Sequence, residues 1–134
     1  MDHTTLENGA AVTFHPIGRV ENDFPQGTKK DVMTRGESRI VLDPSLEEGL
    51  RELQNQARIL VVFHFHRSEG FELLQHPRGD ESRPPRGVFA LRSPRRPNPI
   101  GITEVELLDV QGTTLRVRGL DTFDGTPVLD LKPA

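Results

Sequence analysis

Cysteine, tryptophan and tyrosine are all absent from these 134 residues. Without cysteine there is no disulfide, no thiolate metal site and no cysteine nucleophile. Without Trp or Tyr, any stacking on a nucleobase falls to Phe, His or the guanidinium plane of Arg. Long hydrophobic runs are missing too: the longest, Ile59 to Phe63, falls far short of the ~20 residues a membrane helix needs. The opening MDHTTLENGAAV has neither the basic region nor the apolar stretch of a signal peptide, so a soluble cytoplasmic protein is expected. No G-x-G-x-x-G follows a strand, and neither G-x-x-x-x-G-K-[ST] nor G-x-S-x-G occurs. These absences exclude a doubly wound dinucleotide fold, P-loop chemistry and an α/β-hydrolase elbow, so any nucleoside cofactor must be held another way.

What is present reads as one domain, 1–134, mostly β. The β-branched and alternating stretches AVTFHPIGRVE (Ala11 to Glu21) and SRIVL (Ser38 to Leu42) predict strands, with a loop between them. PSLEEGLRELQ carries a capping-box spacing, Ser45 to Glu48, and Leu46, Leu50 and Leu53 on one helical face, so a short helix is expected there. RILVVFHF (Arg58 to Phe65) is too continuously apolar for a surface strand and reads as a central buried one. His66 to Pro85 is irregular and longer than an ordinary connection. GVFALR resumes a strand, ITEVELLDV and TTLRVRGL form a hairpin across Gln111-Gly112, and TPVLDLK is a last strand after the Asp124-Gly125 turn. The expected architecture is a small closed or curled β-barrel with one short helix.

Charge is unevenly spread along this chain of formal net charge -3. From Arg78 to Pro99 six arginines meet only Asp80 and Glu81. A solvated loop is the ordinary reading of such a run. Within RSPRRPNPIG, however, the prolines stiffen the chain and constrain Arg96 and Asn98, as Pro84 does Arg83. A stiff arm loses less entropy on gripping a ligand, and arginine forms bidentate hydrogen bonds with phosphate or carboxylate.

His64 and His66, two apart on a strand, would share one face. With Glu69 they faintly resemble a cupin metal set, but no second block completes it, so no metal is expected. Satisfaction by backbone, or a place in a pocket wall, accounts for them better. In GLDTFDGTPVLDLKP, turn chemistry explains Asp124 and Gly125. It does not explain Asp121, Asp130 and Lys132 in an otherwise apolar stretch, where an unpartnered buried charge is costly.

GVFALRSPRRPNPIGITEVEL and LDTFDGTPVLDLKP, preceded by VVFHF and PIGRVENDF, together resemble the TsaA-like family that includes the tRNA methyltransferase TrmO. The resemblance spans nearly the whole chain. It implies a β-barrel that binds S-adenosylmethionine, as a homodimer with the cofactor near the subunit interface, and methylates the exocyclic amine of threonylcarbamoyl-adenosine beside the tRNA anticodon. Position by position it implies cofactor contacts at His64, Phe65, Arg92 and Ile102, at the turn Thr122, Phe123, Asp124 and Gly125, and in the first loop at Gln26 and Gly27. Phe65 stands where the family has a polar residue, and the chain ends Lys-Pro-Ala where the family commonly continues Lys-Pro-Tyr. Asp124 and then His64 are the candidate bases for the amine proton. Arg86, Arg95, Arg96 and Lys132 are the candidate contacts to an anionic substrate. The same cofactor chemistry on a small molecule, and a non-catalytic cofactor- or RNA-binding module, are the alternatives.

Overall fold

A computed structural model describes residues 10–134. Six strands close into an antiparallel barrel: β1 (Gly18–Glu21), β2 (Glu37–Leu42), β3 (Arg58–His64), β6 (Ile100–Gln111), β7 (Thr114–Arg118) and β8 (Pro127–Pro133). Around the barrel the order is β1-β2-β7-β6-β3-β8, and β8 returns to β1 through Gly18 and Arg19. Two further short strands, β4 (Leu74–Gln75) and β5 (Arg86–Gly87), form a separate ribbon.

Period-two alternation builds the interior. On β3 it sends Ile59, Val61 and Phe63 inward; Val20, Ile40, Leu42, Val105, Leu115, Val117 and Val128 join them from the other strands. β3 lies between β6 and β8 as its sequence implies, while Leu60 and Val62 on its outer face are half-buried. Register shifts at Val62/Phe63 and Leu107/Asp109 supply local bending of the kind a small barrel uses to close. The β6–β7 hairpin turns through Gly112 at φ 60.

Four local expectations need correction. The first strand is confined to Gly18–Glu21, and residues from Ala11 to Pro16 are exposed and unpaired. The following connection contains the α-helix α1 (Lys30–Arg35), whose buried residue is Met33. The helix expected from Pro44 is instead 3-10 over Pro44–Leu50 and again over Leu53–Asn55. Its cap is Asp43, which accepts from the Ser45 N–H at 2.9 Å and hydroxyl at 2.8 Å, so no Ser45–Glu48 box forms. Glu52, left-handed at φ 69, separates the two turns. GVFALR is strand only at its first glycine and then turns 3-10 over Val88–Ala90, anchored by buried Val88.

Alternating strand direction decides where the loops gather. Antiparallel pairing puts the ends of β1, β3 and β7 and the starts of β2, β6 and β8 on one rim. The β1–β2, β3–β6 and β7–β8 connections therefore converge there. The β2–β3 connection lies on the opposite rim, where Leu50 joins the core and Leu53 packs against it.

Candidate cofactor cavity and its rim

The three converging connections enclose a cavity of about 640 Å³, within the ~300–1,000 Å³ usual for small-molecule sites. Its floor is apolar. Phe63 and Phe65 meet edge to face, with centroids 5.1 Å apart and planes at 76°; Met33, Ile102 and Phe123 extend the lining. Gly101 is required for that floor: a Cβ there would stand 2.6 Å from the Phe63 ring and 2.7 Å from that of Phe65.

Polar groups converge from the rim. Asp121 accepts from the Thr103 hydroxyl at 2.7 Å and lies 3.6 Å from the Lys30 ammonium. Arg67 donates to the Gln26 side-chain oxygen at 3.0 Å, bridging the first and second loops. Its Nε also points at His66 Nε2, 3.4 Å away. Partial burial pulls the His66 pKa below the ordinary histidine value, helped by the positive charge of Arg67 and then by His64.

The proline-arginine arm is strapped down by its own side chains. Arg96 Nη1 donates to the carbonyls of Leu91 at 2.8 Å and Ser93 at 3.1 Å. The Ser68 hydroxyl donates to the Pro94 carbonyl and Gln75 Nε2 to that of Arg95, while the Arg95 guanidinium pairs with Glu72 at 3.4 Å. Much of Arg96 and part of Arg95 thus hold the arm in shape.

Of the residues implied from sequence, Gln26, Phe65, Arg92, Ile102, Thr122 and Phe123 line the cavity, as do Arg95 and Arg96. Gly27 and Gly125 shape adjoining turns at φ 94 and φ 85. Asp124 does not line it: its carboxylate accepts the Asn22 backbone N–H at 2.9 Å and pins the β7–β8 turn to the end of β1. Neither does His64. The two histidines do not share a face, because the chain folds back after β3, with the His66 N–H donating to the His64 carbonyl at 2.8 Å. His66 is thereby turned to the cavity. Lys132, paired with Asp130 at 2.8 Å, sits near the far end of β8, on the opposite rim. Arg86 lines a neighbouring groove. Sequence reasoning passed over Lys30, Met33, Arg67 and Thr103, and left Asp121 as an unexplained charge. That unexplained charge was the usable signal. Among the described residues no group of three or more His, Asp or Glu side chains could hold a metal ion, and no helix is long and apolar enough to cross a membrane.

With this geometry in view, the relatives are informative. The sequence profile of the tRNA-methyltransferase O N-terminal domain matches residues 19–134. The chain belongs to the TrmO family. An S-adenosyl-L-methionine-binding protein of Archaeoglobus fulgidus is 38% identical over 122 residues, covering 87% of this chain and 85% of that protein. The tRNA (adenine(37)-N6)-methyltransferase of Mus musculus is 36% identical over 139 aligned residues, covering 96% of this chain but 32% of its own length. The crystal structure of TrmO from Pseudomonas aeruginosa superposes with a TM-score of 0.73 at 28% identity, covering 93% of this chain and 56% of that one. This TrmO-family barrel thus spans about half of the solved TrmO chain and about a third of the mouse enzyme.

Proposed function

We propose that the barrel binds S-adenosylmethionine in the rim cavity and transfers its methyl group to the exocyclic amine of threonylcarbamoyl-adenosine beside the tRNA anticodon. The observation that carries this reading is the cavity's mixed lining in a TrmO-family chain: aromatic faces on the floor, two carboxylates, Asp121 and Glu69, and several cations on the rim. Phe65 and Phe123 offer π faces to an adenine or a sulfonium. Asp121 and Thr103 suit hydroxyl or ammonium groups, and Arg92 a carboxylate. When bound, S-adenosylmethionine supplies an electrophilic methyl on sulfur. The protein holds the amine in line with that methyl, and positioning provides much of the acceleration. His66, whose pKa partial burial lowers, would take up the proton the nitrogen loses as the new C–N bond forms and the methyl C–S bond of the sulfonium breaks, leaving the thioether product. It replaces Asp124 and His64 in that role because it faces the cavity.

A cytoplasmic homodimer completes the proposal. The exposed Phe71, Leu73 and Leu74 are the apolar surface that a second subunit would cover. A binding module without catalysis is the second reading, favoured by relatives of similar length that are named for cofactor binding alone. Incubation with methyl-labelled cofactor and tRNA from cells lacking the enzyme, followed by nucleoside mass analysis, separates the two. Label on the threonylcarbamoyl-adenosine supports methyl transfer; calorimetric cofactor binding with no label in RNA supports the module. Sedimentation as a ~15 kDa species at micromolar concentration would remove the dimer.

A further inference from the structure

Next to the cofactor cavity, and sharing Lys30, Leu91, Arg92 and Pro94 with it, runs a second groove of about 620 Å³. Among the described residues five cations line it, Lys30, Arg78, Arg83, Arg86 and Arg92, and no carboxylate does. Among the described residues the ion pairs fall elsewhere: Arg78, Arg83, Arg86 and Arg92 take part in none of them. Of the two acids nearby in sequence, Asp80 and Glu81, Asp80 accepts from the Ser82 N–H and hydroxyl, and among the described residues neither forms an ion pair. This contrasts with Arg95 and Arg96, whose side chains are committed to Glu72 and to backbone carbonyls. Like charges left together without partners repel one another, an arrangement that is costly unless an anion enters.

The backbone shows a second cost at the same place. Arg78 is held left-handed at φ 55, next to Gly79 at φ 72. For a residue with a Cβ that conformation costs about 1 kcal/mol or more and would be relieved by Gly or Asn. His76 fixes the loop from within: its Nδ1–H donates to the Arg83 carbonyl at 2.7 Å, tying the two arginine-bearing turns together. On the turn between Arg86 and Arg92 stands Phe89, 78% exposed, an aromatic face beside a cationic track. Cations along a groove with an aromatic at its side are the recurring equipment for single-stranded nucleic acid.

We propose that this groove is a phosphodiester-binding track for single-stranded RNA, in which Arg78, Arg83 and Arg86 hold the backbone flanking the base delivered to the cofactor cavity. The assignment rests on the reading of RNA as the substrate, and it moves backbone recognition from the proline-arginine arm to the preceding loop. Arg92 and Lys30, common to both cavities, place the track in direct continuity with the methyl donor's site.

The test is fluorescence anisotropy of a labelled single-stranded oligoribonucleotide of about 10 residues, titrated over a potassium chloride series. At ~0.7 log–log units per phosphate, the three track arginines give a slope near roughly -2.1, and the Arg78→Ala/Arg83→Ala/Arg86→Ala variant is expected near zero. All three side chains are exposed, so folding is preserved, and S-adenosylmethionine affinity by calorimetry should stay within about twofold. Arg78→Asn alone should melt at or above the wild-type temperature while losing ~0.7 units of slope. A triple variant that keeps the wild-type slope overturns the proposal, as does a wild-type slope near zero or tighter binding of an acidic peptide than of the RNA. Loss of methyl transfer or cofactor binding in the wild-type protein, with the groove's salt response intact, would instead sink the methyltransferase reading and leave the track standing.

Discussion

Replacing Gly101 by alanine tests whether the cavity floor is built by close approach of two rings to bare backbone. The added Cβ would lie 2.6 Å from Phe63 Cζ and 2.7 Å from Phe65 Cζ, far inside van der Waals contact. Phe63 is 2% exposed and locked in the barrel core, so it cannot swing away without displacing its neighbours. Phe65, half-buried and lining the cavity, is the ring that yields. Overpacking of this kind costs about 1–3 kcal/mol. For a chain of this length each kcal/mol lowers the melting temperature by roughly 3–4 °C, so a loss of about 3–12 °C is expected by calorimetry. The displaced Phe65 should weaken S-adenosylmethionine binding at the same time. Gly49→Ala is the control, because nothing lies within 4 Å of its Cβ position; its effect should stay within about 0.5 kcal/mol. Phe65→Leu in the Gly101→Ala background should recover part of the loss. Gly101→Ala melting no lower than Gly49→Ala would refute the steric argument.

Three other expectations follow from the same contacts. Asn22→Ala strands the buried Ser38 hydroxyl and Thr122 carbonyl, which Asn22 Nδ2 reaches at 2.9 and 3.0 Å; denaturant unfolding should show a loss of about 1–3 kcal/mol, together with weaker cofactor binding as the Thr122 turn loosens. Arg96→Ala should weaken S-adenosylmethionine binding more than Arg95→Ala, because Arg96 holds the arm's carbonyls whereas Arg95 makes an exposed ion pair; equal calorimetric affinities would count against the strapping role. Because the folded His66 pKa lies below the unfolded value of about 6.5, the unfolded chain binds more protons in that range. Its contribution to stability is thus present above pH ~6.5 and lost as pH falls through the lowered folded value, and Arg67→Ala should bring the value back up in an NMR titration of the imidazole.

Much of the barrel was legible because it is local chemistry. The β3 run, the hairpin across Gln111-Gly112 and the closing strand after Asp124-Gly125 are written in period and turn residues. The helix expected near Ser45 is wound tighter for a local reason as well: Pro44 and the Asp43 side chain cap a 3-10 turn in place of the Ser45–Glu48 box. The family motifs likewise pointed to Phe65, Arg92, Ile102, Thr122 and Phe123, which do gather around the cavity. What sequence left undecided was direction and distance. Asp121 and Asp124 are three apart in one turn, yet one faces the cavity beside Thr103 and Lys30 while the other pins Asn22. His64 and His66 part company because β3 ends between them. Arginines that look equivalent along the chain divide into those holding backbone and those that, among the described residues, form no ion pair. Only closure of the barrel, by bringing three connections to one rim, sets which charges find partners and which remain for a ligand.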